Sequence, residues 1–571
     1  MAGPQFYTTT PDDSAAPPPP YSNWAATATE RRPLLRRRNT EFCRAVRKLN
    51  KWGIPIAVRA LHLVAGLYVL NFLVHNWGSV HMPPAPLPTY NVAIIGAGPA
   101  GIAAAQHLRN SPTAQRVQFN ITIFESKPVI GGALAFSDSK GSFVFPKDDP
   151  TQNPITAEDI AGNALVWDNT LFTRDSEKVL KDKVDFFELS PQQIGYYKND
   201  IRAVSAVRPF KKTPLLMWLK LLWTYGSSVG RGDKLAQDGS LRNAMLNASF
   251  IADVEEIFKS LGLSKPLKQR APDMLRERGI SVQYSTDILE PQVQRAYGQS
   301  LNQVTALTSM MAAAREESAS AYVGGHLIER LQRIAKKIDV SVRTSTRVTG
   351  IKYPKVDEKQ PAWLIRHESV DGSGDGDDAS FQLFDKVIMA ALDLDVQLEN
   401  GDEPTPSLMT HYNIDMITVN ATTTRESDLL IPVQVTLFTS DARLSPWSHD
   451  EDQVLFLEAR KAAGMRELAL VREIVSYHDF STKVEYLYRV LSDRPVIEEL
   501  QSRAEITWSY ETKIEKAYPI SFPLERYPPF ELPWAPGFWW TSVIQRAGTS
   551  IDLNWFAGKV VAEELIKGVV T

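Results

Sequence analysis

The rhythm of apolar and polar positions changes several times along the chain, and each change marks a different kind of segment. Residues 1–30 carry Pro, Ser, Thr and Ala with few large aliphatics, so they bury too little surface to offset the entropy of ordering. A long apolar stretch follows, WGIPIAVRALHLVAGLYVLNFLVHNWG, from Trp52 to Gly78. As a helix, Ile54 to Val74 would reach roughly 30 Å, the thickness of a bilayer core. Arg59 stands near one end, where its stem can snorkel, and Trp52 and Trp77 bracket the span as interfacial anchors. A buried or interfacial helix is the alternative. From Asn91 the pattern alternates: the β-branched strand NVAIIG, the loop GAGPAG, the small-residue helix IAAAQHLRN, and the strand VQFNITIFE ending at Glu125. That order predicts a parallel, Rossmann-like sheet. Further on, TPLLMWLKLLWTYG (Thr213 to Gly226) is apolar with few breaks. It reads as a core helix of a substrate domain, the wall of an apolar tunnel, or a segment that dips into a membrane.

Charge sharpens the reading of the first hundred residues. The whole chain carries a net charge of -3 over 571 residues, which gives no sign of nucleic-acid binding. Locally, Arg31 to Lys51 hold nine Lys/Arg against one acid, Glu41. A basic cluster just before an apolar span predicts a cytosolic N-terminus and a lumenal remainder, a type II single-pass protein. Two short motifs then fall on the cytosolic side. PPPY (Pro18 to Tyr21) resembles the PPxY ligand of WW domains, a route to a ubiquitin ligase, and ERRPLL (Glu30 to Leu35) resembles the acidic dileucine signal that adaptor complexes read on tails bound for lysosome or vacuole. The sequons at Asn247 and Asn420 fall on the lumenal side, so glycosylation is expected there; Asn120 also matches but lies inside a predicted core strand. Cys43 is the only cysteine, which excludes an intrachain disulfide.

The glycine loop carries the clearest chemistry. In GAGPAG, Gly96 makes the tight turn, Gly98 lets the backbone approach a pyrophosphate, and Gly101 lets the helix pack on the strand, with Ala100 between them. The phosphates would sit at the helix N-terminus, where free N–H groups and the helix dipole favour anions. Glu125, twenty-four residues beyond Gly101, is placed to accept the ribose hydroxyls.

NAD and FAD share that loop, and the residues after Glu125 separate them. SKPVIGGALAFS places Gly131 and Gly132 where the FAD-dependent amine oxidase superfamily has its second signature; Ala133 stands where that superfamily usually has Arg. GGHLIERLQRIAKKIDVSVRTSTRVTGI (Gly324 to Ile351) resembles the superfamily's later helix and strand and implies Val348 near the adenine. FDKVIMAAL (Phe384 to Leu392) resembles the strand that returns to the nucleotide domain, and TSIDLNWFAGKVVAEELI, with Ser550 near its start, resembles the closing helix that faces the flavin ring. FAD is the cofactor this resemblance implies. TAEDIAGNALVWDN (Thr156 to Asn169), LLWTYGSSVGR (Leu221 to Arg231) and LEPQVQRAYGQSLNQVTALTSMMAA (Leu289 to Ala313) resemble the prenylcysteine oxidase (prenylcysteine lyase) family, from about Asn91 to the C-terminus. The resemblance implies a thioether oxidase that turns farnesyl- or geranylgeranyl-cysteine, water and dioxygen into prenyl aldehyde, cysteine and hydrogen peroxide. Such an enzyme would serve the breakdown of prenylated proteins. The family likeness implies Tyr297 and Gln299 as neighbours of the flavin ring; no residue is assigned a catalytic role.

The expected architecture is α/β: a Rossmann-like FAD-binding domain with an α+β substrate domain, preceded by a single transmembrane helix. The expected order is a basic tail (1–51), an anchor (52–78), a linker (79–89), nucleotide-domain segments at 90–168, 321–400 and 535–571, and substrate-domain segments at 169–320 and 401–534. DGSGDGDD (Asp371 to Asp378) resembles a calcium loop, but Gln382 stands where a bidentate Glu should, so it reads as a hairpin loop and no metal is expected. APGFWW (Ala535 to Trp540) is aromatic enough to stack near a flavin or to pack a core. Two other functions stay open: an FAD oxidase of an amine or another isoprenoid, and a non-catalytic membrane adaptor whose PPPY motif does the work.

Overall fold

The computed structural model describes residues 61–71 and 87–570, apart from 135–163, 166–169, 184, 189–191, 238–249, 317–319, 324–326, 354–362, 371–379, 393–396, 401–402, 406–429, 445–446, 448–450, 458–463, 479–480 and 534. Leu87–Thr571 forms one compact unit, with the boundary falling after Pro86. Within the predicted 52–78 anchor, residues 61–71 are helical; the rest of the span, both tail motifs, and Asn247 and Asn420 lie outside the described residues. Among the described residues no helix is long and apolar enough to cross a membrane, so the single transmembrane helix of the sequence reading has no counterpart there. The described piece spans only about 16 Å at 1.5 Å per residue.

The glycine loop sits in a five-stranded sheet. Its first strand, β1 (Thr89–Ile95), leads through the Gly96–Gly98 turn into helix α1 (Pro99–Asn110), and β2 (Gln118–Phe124) returns beside β1. Strand β1 pairs in parallel with β2 on one side and with Lys386–Met389 on the other; the Ser341–Arg343 and Phe538–Trp540 strands complete the sheet at its two edges, also in parallel. Val92, Ala93, Ile94, Val387, Ile388 and Met389 are fully buried. A parallel sheet covered on both faces needs such unbroken apolar runs rather than alternation, which is why NVAIIG and KVIM are readable as strands. One cover is the closing helix, Ile551–Val570, which crosses α1 at Gly558. A Cβ there would collide with the Ala100 carbonyl oxygen, so the small residue fixes how closely the two helices approach.

A second, seven-stranded sheet is assembled from segments far apart in sequence. The Gln192–Lys198 and Ile201–Arg208 hairpin joins in parallel to Gln453–Phe456, and the long strands Leu430–Ser440, Met465–His478, Ser481–Ser492 and Ile506–Pro519 extend it antiparallel. Helices Glu290–Tyr297 and Ala306–Glu316 pack between this sheet and the end of the nucleotide sheet: Thr308 bonds the Ser521 hydroxyl, and Met311 lies against Gly548. The Trp363–Ser369 and Ser380–Phe384 strands pair antiparallel, as the hairpin reading of 371–378 expects of its flanks; the loop itself is outside the described residues. Asn120 is on β2 but at an exposed position, donating to the Asn91 side chain at 3.2 Å. It is therefore in a strand, as expected, and not in the core.

Candidate functional site

The carboxyl ends of the parallel strands converge on the Gly96–Gly98 turn, the usual ligand crevice of such sheets. Gly96 has φ +104, a conformation that favours glycine, and its N–H donates to the Phe124 carbonyl at 2.8 Å. Gly98 is the extended N-cap of α1, with Pro99 at the first helical position and no acid in the first turn. Ala100 and Gly101 are buried in that turn; a side chain on Gly101 would strike the Gly96 carbonyl oxygen.

Gly131 and Gly132 come back to the same loop. The Gly131 N–H donates to the Ala97 carbonyl at 3.0 Å, and a Cβ on Gly132, whose φ is +60, would lie 2.8 Å from the Gly98 Cα. Both glycine signatures thus form one bare backbone cradle, in which an added methyl has no room at Gly101 or Gly132. Ala133 is exposed in the 3₁₀ turn Gly132–Leu134. A cation nevertheless stands at this turn. Lys127 Nζ donates to the Gly132 carbonyl at 2.8 Å, and burial lowers its pKa below the ordinary lysine value while Glu125 opposes the shift. Lys127 was not singled out in the sequence; its place two residues past Glu125 was the available signal.

Glu125 is buried at the end of β2 and accepts from the Ala97 N–H at 2.8 Å and from the Lys127 N–H at 3.0 Å. A carboxylate has about four acceptor positions, so two of them remain for ribose hydroxyls. Glycine cradle, helix N-terminus and half-used buried carboxylate together fit an adenine dinucleotide. Val348 is buried on the Thr346–Tyr353 strand, opposite His367, and the Thr346 N–H bonds the Glu125 carbonyl at 2.8 Å, so this strand borders the same crevice.

The other end of the crevice is formed by the closing helix. Ser550 caps it, its hydroxyl accepting from the Leu553 N–H at 3.1 Å. Asp552 is buried in the first turn of this helix; burial pushes its carboxyl up to about 6, against a hydrogen bond with Thr170, and its Oδ1 has no hydrogen-bond partner among the described residues. Of the two residues expected near the flavin ring, Tyr297 comes to this helix end: its hydroxyl bonds the Thr549 backbone, and its ring meets Tyr518 edge-on at 6.2 Å. Gln299, two residues on, is buried and bonded to the backbone. Its amide donates to the Pro519 carbonyl at 3.2 Å and accepts from the Ser521 N–H at 2.8 Å, locking the loop after Tyr297 to the far strand. In the APGFWW run, Trp540 Nε1 donates to the Ala391 carbonyl at 3.1 Å, whereas the buried Trp539 Nε1 finds no partner.

A small cleft, open to solvent, lies at the start of the Glu290–Tyr297 helix. Ile194, Phe210, Leu221, Ile288 and Leu289 make it apolar, and Tyr196, Gln292 and Arg208 give it a polar end. Gln292 donates to the Tyr196 hydroxyl at 3.0 Å, and its own Oε1 is unpartnered. Gln292 stands five residues before Tyr297 on the same helix. The charged lining residues of the cleft are one cation, Arg208, and one acid, Asp233, and Arg208 feels a buried charge cluster behind it. Glu467 is fully buried with Arg489 at 3.1 Å and Arg295 at 3.7 Å. Burial pushes the Glu467 carboxyl up, but Arg489, Arg295 and Arg315 outweigh it and hold the pKa below the usual range. Burial and the neighbouring Arg315 pull Arg208 down to about 10, still charged at neutral pH. Among the described residues no cluster of His, Cys, Asp and Glu could hold a metal ion.

Two family models match the chain. The family model for prenylcysteine lyase matches residues 211–568, and that for an NAD(P)-binding Rossmann-like domain matches residues 94–150. Similar solved structures include a triple mutant and a single mutant from a structure-based redesign of cofactor binding in putrescine oxidase. Each is 12% identical with a TM-score of 0.50, covering 85% of this chain and 100% of the other. At that identity the likeness speaks for the fold alone. No curated protein matches the sequence.

Proposed function

Because the chain belongs to the prenylcysteine lyase family, we propose that it is an FAD-dependent oxidase that cleaves the thioether of farnesyl- or geranylgeranyl-cysteine. FAD is the cofactor, held by the Gly96–Gly101 turn, Gly131 and Gly132, with its ribose on Glu125 and Val348 bordering the adenine. Bound there, it supplies the acceptor for the hydride that leaves the allylic carbon next to sulfur, and dioxygen is the final oxidant. Water adds to the oxidised carbon, and the hemithioacetal breaks to prenyl aldehyde and cysteine. The electron pair ends in hydrogen peroxide.

The protein's part is binding, orientation and exclusion of water. The observation that carries the reading is the cleft at the start of the Glu290–Tyr297 helix, apolar along most of its wall and cationic at Arg208, with Asp233 as the one acid of its lining. A prenyl chain suits the first and the α-carboxylate of the cysteine suits the second. A diamine would leave most of that apolar wall without a partner, and the lining holds one acid, Asp233, for its two cations. Gln292 and Tyr196 offer the polar contacts that position the amino-acid end.

On this reading the full chain, given farnesylcysteine in air, releases aldehyde and peroxide in equal amounts. Arg208→Gln lowers kcat/KM for the free acid by about ten- to a hundredfold, the worth of a charge-assisted hydrogen bond, and changes turnover of the methyl ester much less. Peroxide without aldehyde would contradict the reaction.

The sequence also supports a place in the cell. We infer a type II membrane protein delivered to the vacuole or lysosome, from the basic cluster before the Trp52–Gly78 span and the ERRPLL signal. PPPY would offer the tail to a WW-domain ubiquitin ligase, and Asn247 and Asn420 would carry glycans. Degradation of prenylated proteins ends in such compartments, so the enzyme would meet its substrate there.

A further inference from the structure

The helix Leu215–Tyr225 turns its apolar side the wrong way for a soluble protein. Leu215, Leu216, Trp218, Leu219 and Trp223 are all exposed, Leu216 at 82% and Trp223 at 93%. At 100° per residue these five fall within an arc of about 160°. Only Leu221 and Tyr225 are buried, and they hold the helix down: Tyr225 meets Tyr284 edge-on at 5.5 Å and donates to Asp287 at 3.2 Å. A surface helix exposing that many large aliphatic and aromatic side chains together is an interaction site rather than ordinary surface.

Its surroundings select the partner. From Ile201 to Gly232 there is no acidic residue, and Arg202, Arg208, Lys211, Lys212, Lys220 and Arg231 lie within the same stretch. Lys211 and Lys220 are exposed beside the apolar arc. Tryptophans on an apolar face rimmed by lysine are the composition of a helix lying in the headgroup region of an anionic bilayer. The position on the fold agrees. Leu221, on the buried side, lines the cleft together with Phe210 from the preceding turn, so one helix thickness separates the exposed face from the cleft.

We propose that the Leu215–Tyr225 helix docks on an anionic lipid bilayer surface and opens the cleft behind it to molecules dissolved in the membrane. The docking does not depend on which substrate the cleft takes. The test uses the full chain in vesicles of phosphatidylcholine with and without phosphatidylserine. An environment-sensitive fluorophore is placed at Trp223→Cys in a Cys43→Ser background. Trp223 is almost fully exposed, so the replacement leaves the packing intact. The label is expected to shift to the blue and to be quenched by nitroxide lipids, more strongly with phosphatidylserine. Adding Leu216→Glu should remove most of the quenching, and Lys211→Gln with Lys212→Gln and Lys220→Gln should remove the phosphatidylserine dependence. A label that stays in water with both vesicles overturns the proposal. So does one that becomes buried without vesicles as protein concentration rises, because a second copy of the chain would then be the occupant. Neither readout requires turnover, so failure here and failure of the proposed reaction are separate results.

Discussion

Single residues decide what the crevice can hold. Gly132, at φ +60 and 2.8 Å from the Gly98 Cα as judged by an added Cβ, leaves backbone where a phosphate must approach. This was legible in the sequence because only glycine meets that requirement. Lys127 and Asp552 were not legible, since a lone lysine or aspartate has no pattern until the fold surrounds it. Asp552 also makes a pH prediction. Its carboxyl is pushed up to about 6 in the folded chain, against an ordinary value of about 4. Between those two values the folded chain holds a proton that the unfolded chain has released, so stability falls as pH rises through the window. In flavin-free protein, Asp552→Asn should therefore raise the unfolding temperature at pH 7, recovering at most about 3 kcal/mol. The two profiles should converge near pH 4. Parallel profiles across that range would show that Asp552 is not the titrating group. Tyr297 and Gln299 were named by resemblance; their hydrogen bonds, to the Thr549 backbone and to Pro519 and Ser521, had no signal in the sequence.

Among the elements, those with a strict local pattern were readable. The apolar runs of β1 and of Lys386–Met389, and the small-residue face of α1, follow from a sheet covered on both sides and a helix pressed onto it. The closing helix was expected from resemblance, and its packing explains its own glycine. Gly558→Val would drive a branched side chain into the Ala100 carbonyl and α1. A loss of about 1–3 kcal/mol in thermal or denaturant unfolding is expected from such overpacking, together with lower flavin retention, because α1 carries the glycine turn. Unchanged stability would mean that the two helices do not cross there. The Leu215–Tyr225 helix shows the limit of pattern reading. Its apolar run left core, tunnel wall and membrane contact all open, and the exposure of Leu216 and Trp223 is what separates them.

Across the whole molecule, the pairings that build the seven-stranded sheet have no local signal. Gln192–Lys198 lies beside Gln453–Phe456, some 260 residues later, through main-chain bonds that any strand can make. That is why the sheet beside the cleft, and with it the cationic end at Arg208, was not legible, while the nucleotide fold at the other end was. The net charge of -3 likewise hid both the basic tail and the guanidinium cluster around Glu467. The proposed reaction needs both parts, the dinucleotide crevice and the apolar cleft that holds Arg208. The most direct measurement is flavin absorbance of the purified full chain under anaerobic conditions, with farnesylcysteine added in one cell and putrescine in another. The account predicts bleaching by the thioether alone, reversed with peroxide release when air is admitted. Bleaching by the diamine and not by the thioether would contradict it.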